Sequence, residues 1–406
     1  MMNETNAQSD PRPGLAMVAP TQEWYRHALH LRLVREIPEL KLHSIYTHAQ
    51  GLAHRPRRDE SDINAVFFDS GGSSEQRNRL GNQLANLRRG SCIFEYFREH
   101  NVRAAVILGY NDLGLLRLFR RCSRAGIKTF LWSDSNADAD RATGLKRLIK
   151  GTLIRSVARR TDAVLVCGTA GKRYYLDYNV LASKVIFSPC EPDYDLIRAL
   201  PSAVIEETRQ RFALGPARQR FVFCGRLVAL KRPDLALAAF LALAPERPDW
   251  DLVIVGDGEL RPQLEAQVPV NLKHRVLFTG FLSDQAAVSA IYRLSDALVH
   301  PSEIEPWGLI INEAVAAGLA VVSTTTCGAA VELVQEGQNG FLVPPGQLEP
   351  LTRAMRTISE TDRVDAFKAQ SKAALDRWRS IADPVQGIRT ALARASILHG
   401  DPSNAQ

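Results

Sequence analysis

The sequence predicts an α/β protein made of two doubly wound, Rossmann-like parallel-sheet domains in tandem, facing each other across a central cleft. Three observations carry that expectation. At 406 residues the chain is too long for one core of ordinary size. Short apolar runs of strand character alternate with longer helix-like segments, the pattern of parallel strands joined by crossover helices. Near residues 200–217 the texture changes, with Pro201, a charged helical stretch and then LGPARQR leading into a fresh strand.

In chain order, the strand candidates of the first half are GLAMVAP (14–20), KLHSIYTH (41–48), NAVFFD (64–69), AAVILGY (104–110), KTFLWSD (128–134), AVLVCG (163–168) and VIFSPC (185–190). Those of the second half are RFVFCGRL (220–227), DLVIVGDG (251–258), VLFTGF (276–281), ALVHPS (297–302) and AVVSTT (320–325). Each is a short apolar run, as expected of strands covered on both faces. Ligands of such sheets bind at the carboxyl ends of the strands, here in the cleft.

Composition narrows the functions. With 45% hydrophobic and 23% charged residues the chain reads as folded and soluble. The stretch MMNETNAQSDPRPG has no basic start followed by an apolar run, so no secretory signal is expected. The longest apolar run, LALAAFLALA (235–244), falls well short of the roughly 20 residues of a membrane span, which points to the cytoplasm. Six scattered cysteines lack CxxC pairing or a metal-ligand spacing with His, and read as reduced core residues. Residues 1–200 hold 30 Lys and Arg against 21 Asp and Glu, a net of +9, so the chain total of +7 leaves −2 for the remainder. Such asymmetry points to an anionic partner for the first half: nucleic acid, an anionic membrane face or a diphosphate-bearing substrate. Nucleic acid fits least, since no binding fold is recognisable and the aromatics do not interleave with the basic residues.

The second half carries the chemistry. Arg226 and Lys231, in CGRLVALKRP, stand on a loop leaving a strand, where fixed cations could neutralise a departing diphosphate; two solvated surface cations are the bland alternative. Gly225 opens that loop, and Gly256 and Gly258 form a turn after DLVIV where a ligand could approach the backbone. GDGELR lacks the third glycine of a dinucleotide loop, so an oxidoreductase starts weak.

In EIEPWGLIINEAVAAG (303–318), Glu305 and Glu313 bracket a largely apolar run. On one continuous helix they would stand about 80° apart and more than two turns distant, unable to share a small ligand. The helix must therefore begin between them, and Pro306, Trp307 and Gly308 supply the break. Glu305 then lies on the loop, Glu313 about one turn inside the helix, and the amides from Gly308 and Leu309 onward form a seat for phosphate. A capping or ion-paired Glu313 is the structural alternative.

The succession CGRLVALKRP, VIVGDGELRPQLE, VLFTGFLSD, VHPSEIEPWGLIINEAVAAGLAVVST and NGFLVPPG resembles the nucleotide-sugar-binding domain of the family 4 retaining glycosyltransferases, which have the two-domain GT-B fold. The resemblance spans about Phe221 to Gly346. It implies diphosphate contacts for Arg226 and Lys231, donor-sugar hydroxyls on Glu305, ribose hydroxyls on Glu313, and the nucleotide base near Gly280 and Phe281. It also implies domains at 1–205 for the acceptor and 206–375 for the donor, with 376–406, including Trp378 and a last helix to His399, crossing back to the first domain. A narrower likeness, in SDSN-like and EPDYD-like segments, is to a subgroup associated with bacterial exopolysaccharide and surface-glycan synthesis.

The first half departs from that family. Its first loop, APTQEWYRHALH (19–30), lacks the usual glycine pair, and Ser133 and Asp134 stand where a His is common. Acceptor contacts are assigned to Asp134, Ser133, Glu23, Tyr25 and Arg26. Asp134, Asp138 and Asp140 mimic a DxD metal motif, but the fold implied uses protein cations and helix dipoles, so no metal or other cofactor is expected; an Asp or Ser capping the helix that starts near Gly144 is the plainer reading. GLKRLIKGTLIRSVARR (144–160) spaces Leu145, Leu148, Ile149, Leu153 and Val157 helically among cations. It suits peripheral contact with the inner membrane face, where a lipid-linked acceptor would be presented, or ordinary packing of the stripe on the sheet.

The expectation is a retaining hexosyltransferase passing a glycosyl group from a UDP- or GDP-sugar to the hydroxyl of a glycan or lipid-linked acceptor. A non-catalytic sugar-nucleotide binder, a sugar-nucleotide epimerase and a Rossmann oxidoreductase are the alternatives.

Overall fold

The computed structural model describes residues 11–48, 63–68, 82–360 and 363–398; residues 1–10 of the polar N-terminal stretch and His399 lie outside them. The first sheet is built from β1 (Gly14–Ala19), β2 (Lys41–Tyr46), β3 (Ala65–Phe67), β4 (Val102–Leu108), β5 (Lys128–Ser133), β6 (Ala163–Val166) and β7 (Val185–Phe187). The second holds β8 (Gln219–Cys224), β9 (Trp250–Val255), β10 (Val276–Gly280), β11 (Ala297–His300), β12 (Ala320–Thr324) and β13 (Gly340–Val343). Every strand pairing within the two sheets is parallel, in the orders β3-β2-β1-β4-β5-β6-β7 and β10-β9-β8-β11-β12-β13.

Alternation along each strand decides which helices cover which face. On the first sheet, Leu15, Met17, Val106, Phe130 and Leu165 pack with Leu33 of α1 (Trp24–Glu36). Their neighbours Ala16, Val18, Ile107, Leu131 and Val164 turn to the other face. There they meet α2 (Gln83–Glu99), α3 (Leu113–Ala125), α4 (Gly144–Arg160) and α5 (Thr169–Asp177). Two short helices, α6 (Tyr194–Arg198) and α7 (Ser202–Arg211), lead to the second sheet. One face of that sheet meets α8 (Pro233–Leu243) and α9 (Arg261–Gln267). The other meets α10 (Gln285–Arg293), α11 (Leu309–Ala317) and α12 (Gly328–Leu333). The chain closes with α13 (Leu348–Ile358), α14 (Val364–Ile381) and α15 (Pro384–Arg394).

The apolar cluster on the α1 face of the first sheet is continuous with that on the α11 face of the second, so the domains meet through a shared core. The expected domain limits fall inside helices. Position 205 lies within α7, which packs against α10, and position 376 lies within α14, which packs against α11 and α12. The chain crosses back only after α14, at Ala382 and Asp383, where Asp383 caps α15 by accepting from the Val385 and Gln386 amides. Helix α15 then packs against α1, β6 and β7. One strand, β13, escaped the sequence reading because GFLV is four residues long and is followed at once by Pro344 and Pro345.

Contact between α15 and the first sheet is too close for any side chain at Gly387, where a Cβ would stand 2.1 Å from the Phe187 carbonyl oxygen. Gly387→Val should therefore lower unfolding stability by about 1–3 kcal/mol, read as a lower urea midpoint at unchanged slope.

Candidate active site

Strand order reverses between β1 and β4 in the first sheet and between β8 and β11 in the second. Loops diverge at such points and leave a crevice beyond the strand ends. The GRL loop leaves β8, the GDG loop leaves β9, and the PWG turn follows β11; Ser133 and Asp134 end β5 opposite. A cleft of about 360 Å3 joins Tyr25, Arg26, Ser133 and Asp134 of the first domain to Glu305, Pro306, Trp307, Gly308 and Leu309 of the second.

The glycines make the loops fit. A Cβ on Gly256, whose φ is +128°, would lie 2.0 Å from the Gly225 carbonyl oxygen, so the GRL and GDG loops touch backbone to backbone. Gly308, at φ +92°, turns the chain into α11 and leaves no room for a Cβ between Glu305 and Cys327. Glu305 precedes the helix, and Glu313 is buried inside it, accepting from Gln285 Nε2 at 3.3 Å.

Burial alone would push the Glu305 carboxyl up, but His300 and Lys231 hold it down, to about 2. Lys231 Nζ forms a direct ion pair with Oε2, and His300 Nε2 lies 3.4 Å from the same oxygen. Arg232, in left-handed backbone at φ +52°, ties the β8 loop to Glu303 and Asp234. Arg226 and Phe281 are exposed, and neither lines this cleft.

The two domains grip the PWG turn from opposite sides. Within the second, the Gly328 and Ala329 amides donate to the Glu305 and Trp307 carbonyls at 3.1 and 2.7 Å. From the first, Asn136 Nδ2 donates to the Pro306 carbonyl at 3.2 Å, and the Trp307 indole donates to the Cys190 carbonyl at 2.7 Å. The Trp307 ring is thus buried against the first domain, beside Trp378. Asn312 donates to the Tyr194 hydroxyl at 2.9 Å, and Glu332 accepts from the Thr169 amide and hydroxyl.

On the acceptor side, Arg26 donates to the Thr21 carbonyl at 2.7 Å, and the Thr21 hydroxyl bonds Glu23. Burial raises the Tyr25 phenol well above its ordinary range, and Asp134 is exposed to the cleft. Tyr25, Arg26, Trp132 and Cys190 also line a larger cavity of about 680 Å3 between α1 and the α6–α7 segment. The three aspartates of the DxD-like stretch do not converge on one point. Asp138 pairs with Arg173, while Asp140 takes Lys150 Nζ at 2.8 Å and the Tyr178 hydroxyl at 2.6 Å. Nor does an Asp cap α4: its N-cap is Thr143, whose side chain makes no cap hydrogen bond.

Sequence reasoning missed His300, Asn136, Tyr110 and Asn111. His300 sits inside VHPSE and carried a signal, being a buried-strand residue three places before Glu303, the first acid of the loop. Tyr110 and Asn111 line the cleft at the end of β4, at the first sheet's switch point, and no motif marks them.

Residues 218–361 match the family model described as glycosyl transferases group 1. This segment is a group 1 glycosyltransferase domain. A GDP-mannose-dependent alpha-(1-6)-phosphatidylinositol dimannoside mannosyltransferase of Mycobacterium tuberculosis is 29% identical over 284 residues, 68% of this glycosyltransferase and 71% of that protein. A glycogen synthase of the same organism is 30% identical over 262 residues, 61% of this chain and 59% of the relative. In fold the glycosyltransferase resembles HepE of Anabaena, solved in complex with UDP. The TM-score is 0.68 at 19% identity, covering 95% of this chain and all of that one. The two facing parallel-sheet domains are the GT-B fold.

Because the folded Glu305 carboxyl lies below its ordinary 4.5, its pairing contributes stability above that pH and loses it progressively as pH falls toward 2. Urea midpoints of the wild type and Glu305→Gln should therefore differ most near pH 7 and converge only as pH approaches 2.

Proposed function

We propose that this glycosyltransferase moves a hexosyl group, with retention, from a UDP- or GDP-sugar held by the second domain to an acceptor hydroxyl at the first. The observation that carries this reading is the Lys231–Glu305 pair at the start of α11, facing Asp134 across one cleft. Charge develops on the departing diphosphate, and Arg226, Lys231 and the amide-rich start of α11 supply positive potential for it. Those groups do the neutralising work that a metal ion does elsewhere, so the reaction proposed is metal-independent. Lys231 would exchange its contact with Glu305 for the diphosphate, leaving His300 to hold the carboxylate against the donor-sugar hydroxyls. Glu313 would take the ribose hydroxyls, and Gly280 and Phe281 the base. Asp134, with Tyr25, Arg26 and Ser133, would meet the acceptor.

The acceptor class we infer is a growing surface polysaccharide or glycolipid presented at a membrane. Supporting this, Leu145, Leu148 and Ile149 on the first two turns of α4 are 71%, 62% and 62% exposed, among exposed Arg141, Lys146 and Arg147. Only the later turns pack, through Ile154, Val157 and Ala158. Apolar side chains inside a cationic surface match an anionic bilayer interface. Among the described residues no helix is long and apolar enough to cross a membrane, so the contact proposed is peripheral.

Glu305→Gln and Lys231→Ala should each cut donor-dependent turnover by about a hundredfold; near-normal transfer by both would refute the site. A thermal-shift series with UDP, GDP and their hexose conjugates identifies the donor. In vesicle flotation, the protein should float with phosphatidylglycerol-containing vesicles and not with phosphatidylcholine alone, and the Leu148→Ser/Ile149→Ser double variant should stay unbound.

A further inference from the structure

The PWG turn carries the residues on which the proposed donor chemistry depends, yet part of its hydrogen bonding comes from the other domain. Asn136, on the loop between β5 and α4, is only 3% exposed. Its Nδ2 donates to the Pro306 carbonyl at 3.2 Å and lies 3.5 Å from the Glu305 carbonyl. Its Oδ1 accepts from the Asp138 amide at 2.8 Å, which fixes the orientation of the carboxamide: the oxygen belongs to its own loop and the NH2 to the turn. The loop is anchored to its domain by Ala137, whose amide donates to the Ala170 carbonyl at 3.2 Å.

We propose that Asn136 is a positioning residue that completes the donor site across the domain boundary. Its NH2 seats the Glu305–Pro306 carbonyls, and so sets the angle at which the Glu305 carboxylate and the start of α11 are presented. Arg226, Lys231, Glu305 and Glu313, to which the proposed function gives the donor contacts, all belong to the second domain. What the first domain adds is the last constraint on the turn. Docking of the acceptor domain and alignment of Glu305 are therefore one event, which couples donor activation to a closed cleft. Trp307 supports the same arrangement by donating to the Cys190 carbonyl.

Two substitutions separate this role from a local one. If Asn136 matters only through Oδ1, as a turn-former for its own loop, Asn136→Asp keeps that acceptor and should behave like wild type, with Asn136→Ala worse. If the NH2 seats the turn, Asn136→Asp places a carboxylate against two carbonyl oxygens and should be the worse of the two. The first readout is independent of donor identity. In ligand-free protein at pH 8, hydrogen exchange at the Gly328 and Ala329 amides reports whether the Glu305 and Trp307 carbonyls stay seated. Exchange should quicken modestly in Asn136→Ala and by about tenfold or more in Asn136→Asp, with melting temperatures close to wild type. The second readout rests on the donor reading above: with the donor found by thermal shift, kcat should fall about tenfold in Asn136→Ala and further in Asn136→Asp, while donor KM and the affinity for the free nucleotide diphosphate stay within about twofold. Exchange and kcat in Asn136→Asp equal to wild type, or a donor KM that rises in step with the loss of kcat, would overturn the proposal. Failure of every nucleotide to bind the wild type would sink the donor reading instead, and the exchange order would still decide the role of Asn136.

Discussion

A carboxylate removed from water must be paired, and the pairing of Glu305 with Lys231 and His300 fixes the geometry of everything around it. Lys231 comes from the loop after β8, His300 from the end of β11 and Glu305 from the turn that follows. These strands are neighbours on either side of the sheet's reversal, so the pair can form only where the two crossover directions part. The same ion pair that satisfies a buried charge therefore marks the place where a ligand has room to enter.

The other half of the cleft is built by the same topology with a different chemistry. At the first sheet's reversal stand Tyr110, Asn111, Ser133 and Asp134, with Tyr25 and Arg26 arriving from α1. Arg26 there donates to the Thr21 carbonyl, and the Ser133 hydroxyl bonds the Ser135 hydroxyl and amide. A surface of that kind is adaptable, which suits the side of a transferase that differs most between members. The tight contacts run instead between the domains, through Asn136, Trp307, Asn312 and Glu332, and leave the turn after β11 held from both directions.

Fold class and the loops that carry the proposed donor site were legible because they depend on local signals. Apolar runs of strand length, glycines at strand ends and the Pro306–Gly308 break each act within a few residues, and the separation of Glu305 from Glu313 followed from helix geometry alone. Where local signal was thin, the reading failed in identifiable ways. The four-residue β13 is too short to register as a strand beside two prolines, and α7 and α14 cross the expected domain limits because a helix continues as long as a neighbour covers its apolar face. In α4 the apolar spacing of Leu145, Leu148 and Ile149 was visible, but periodicity alone does not say whether anything covers those side chains, and among the described residues they stay exposed.

By itself the sequence determined two doubly wound domains, the helix beginning between two acids, and the cations that accompany them, since each follows from backbone preferences and side-chain chemistry over short spans. Tertiary structure alone decided that His300 shares the Glu305 oxygen with Lys231, that the Trp307 indole N–H donates to the Cys190 carbonyl of the first domain, and that Asn136 reaches across 170 positions to the Pro306 carbonyl. Those contacts join residues far apart in the chain, and they exist only once two independently patterned sheets are packed through a common core.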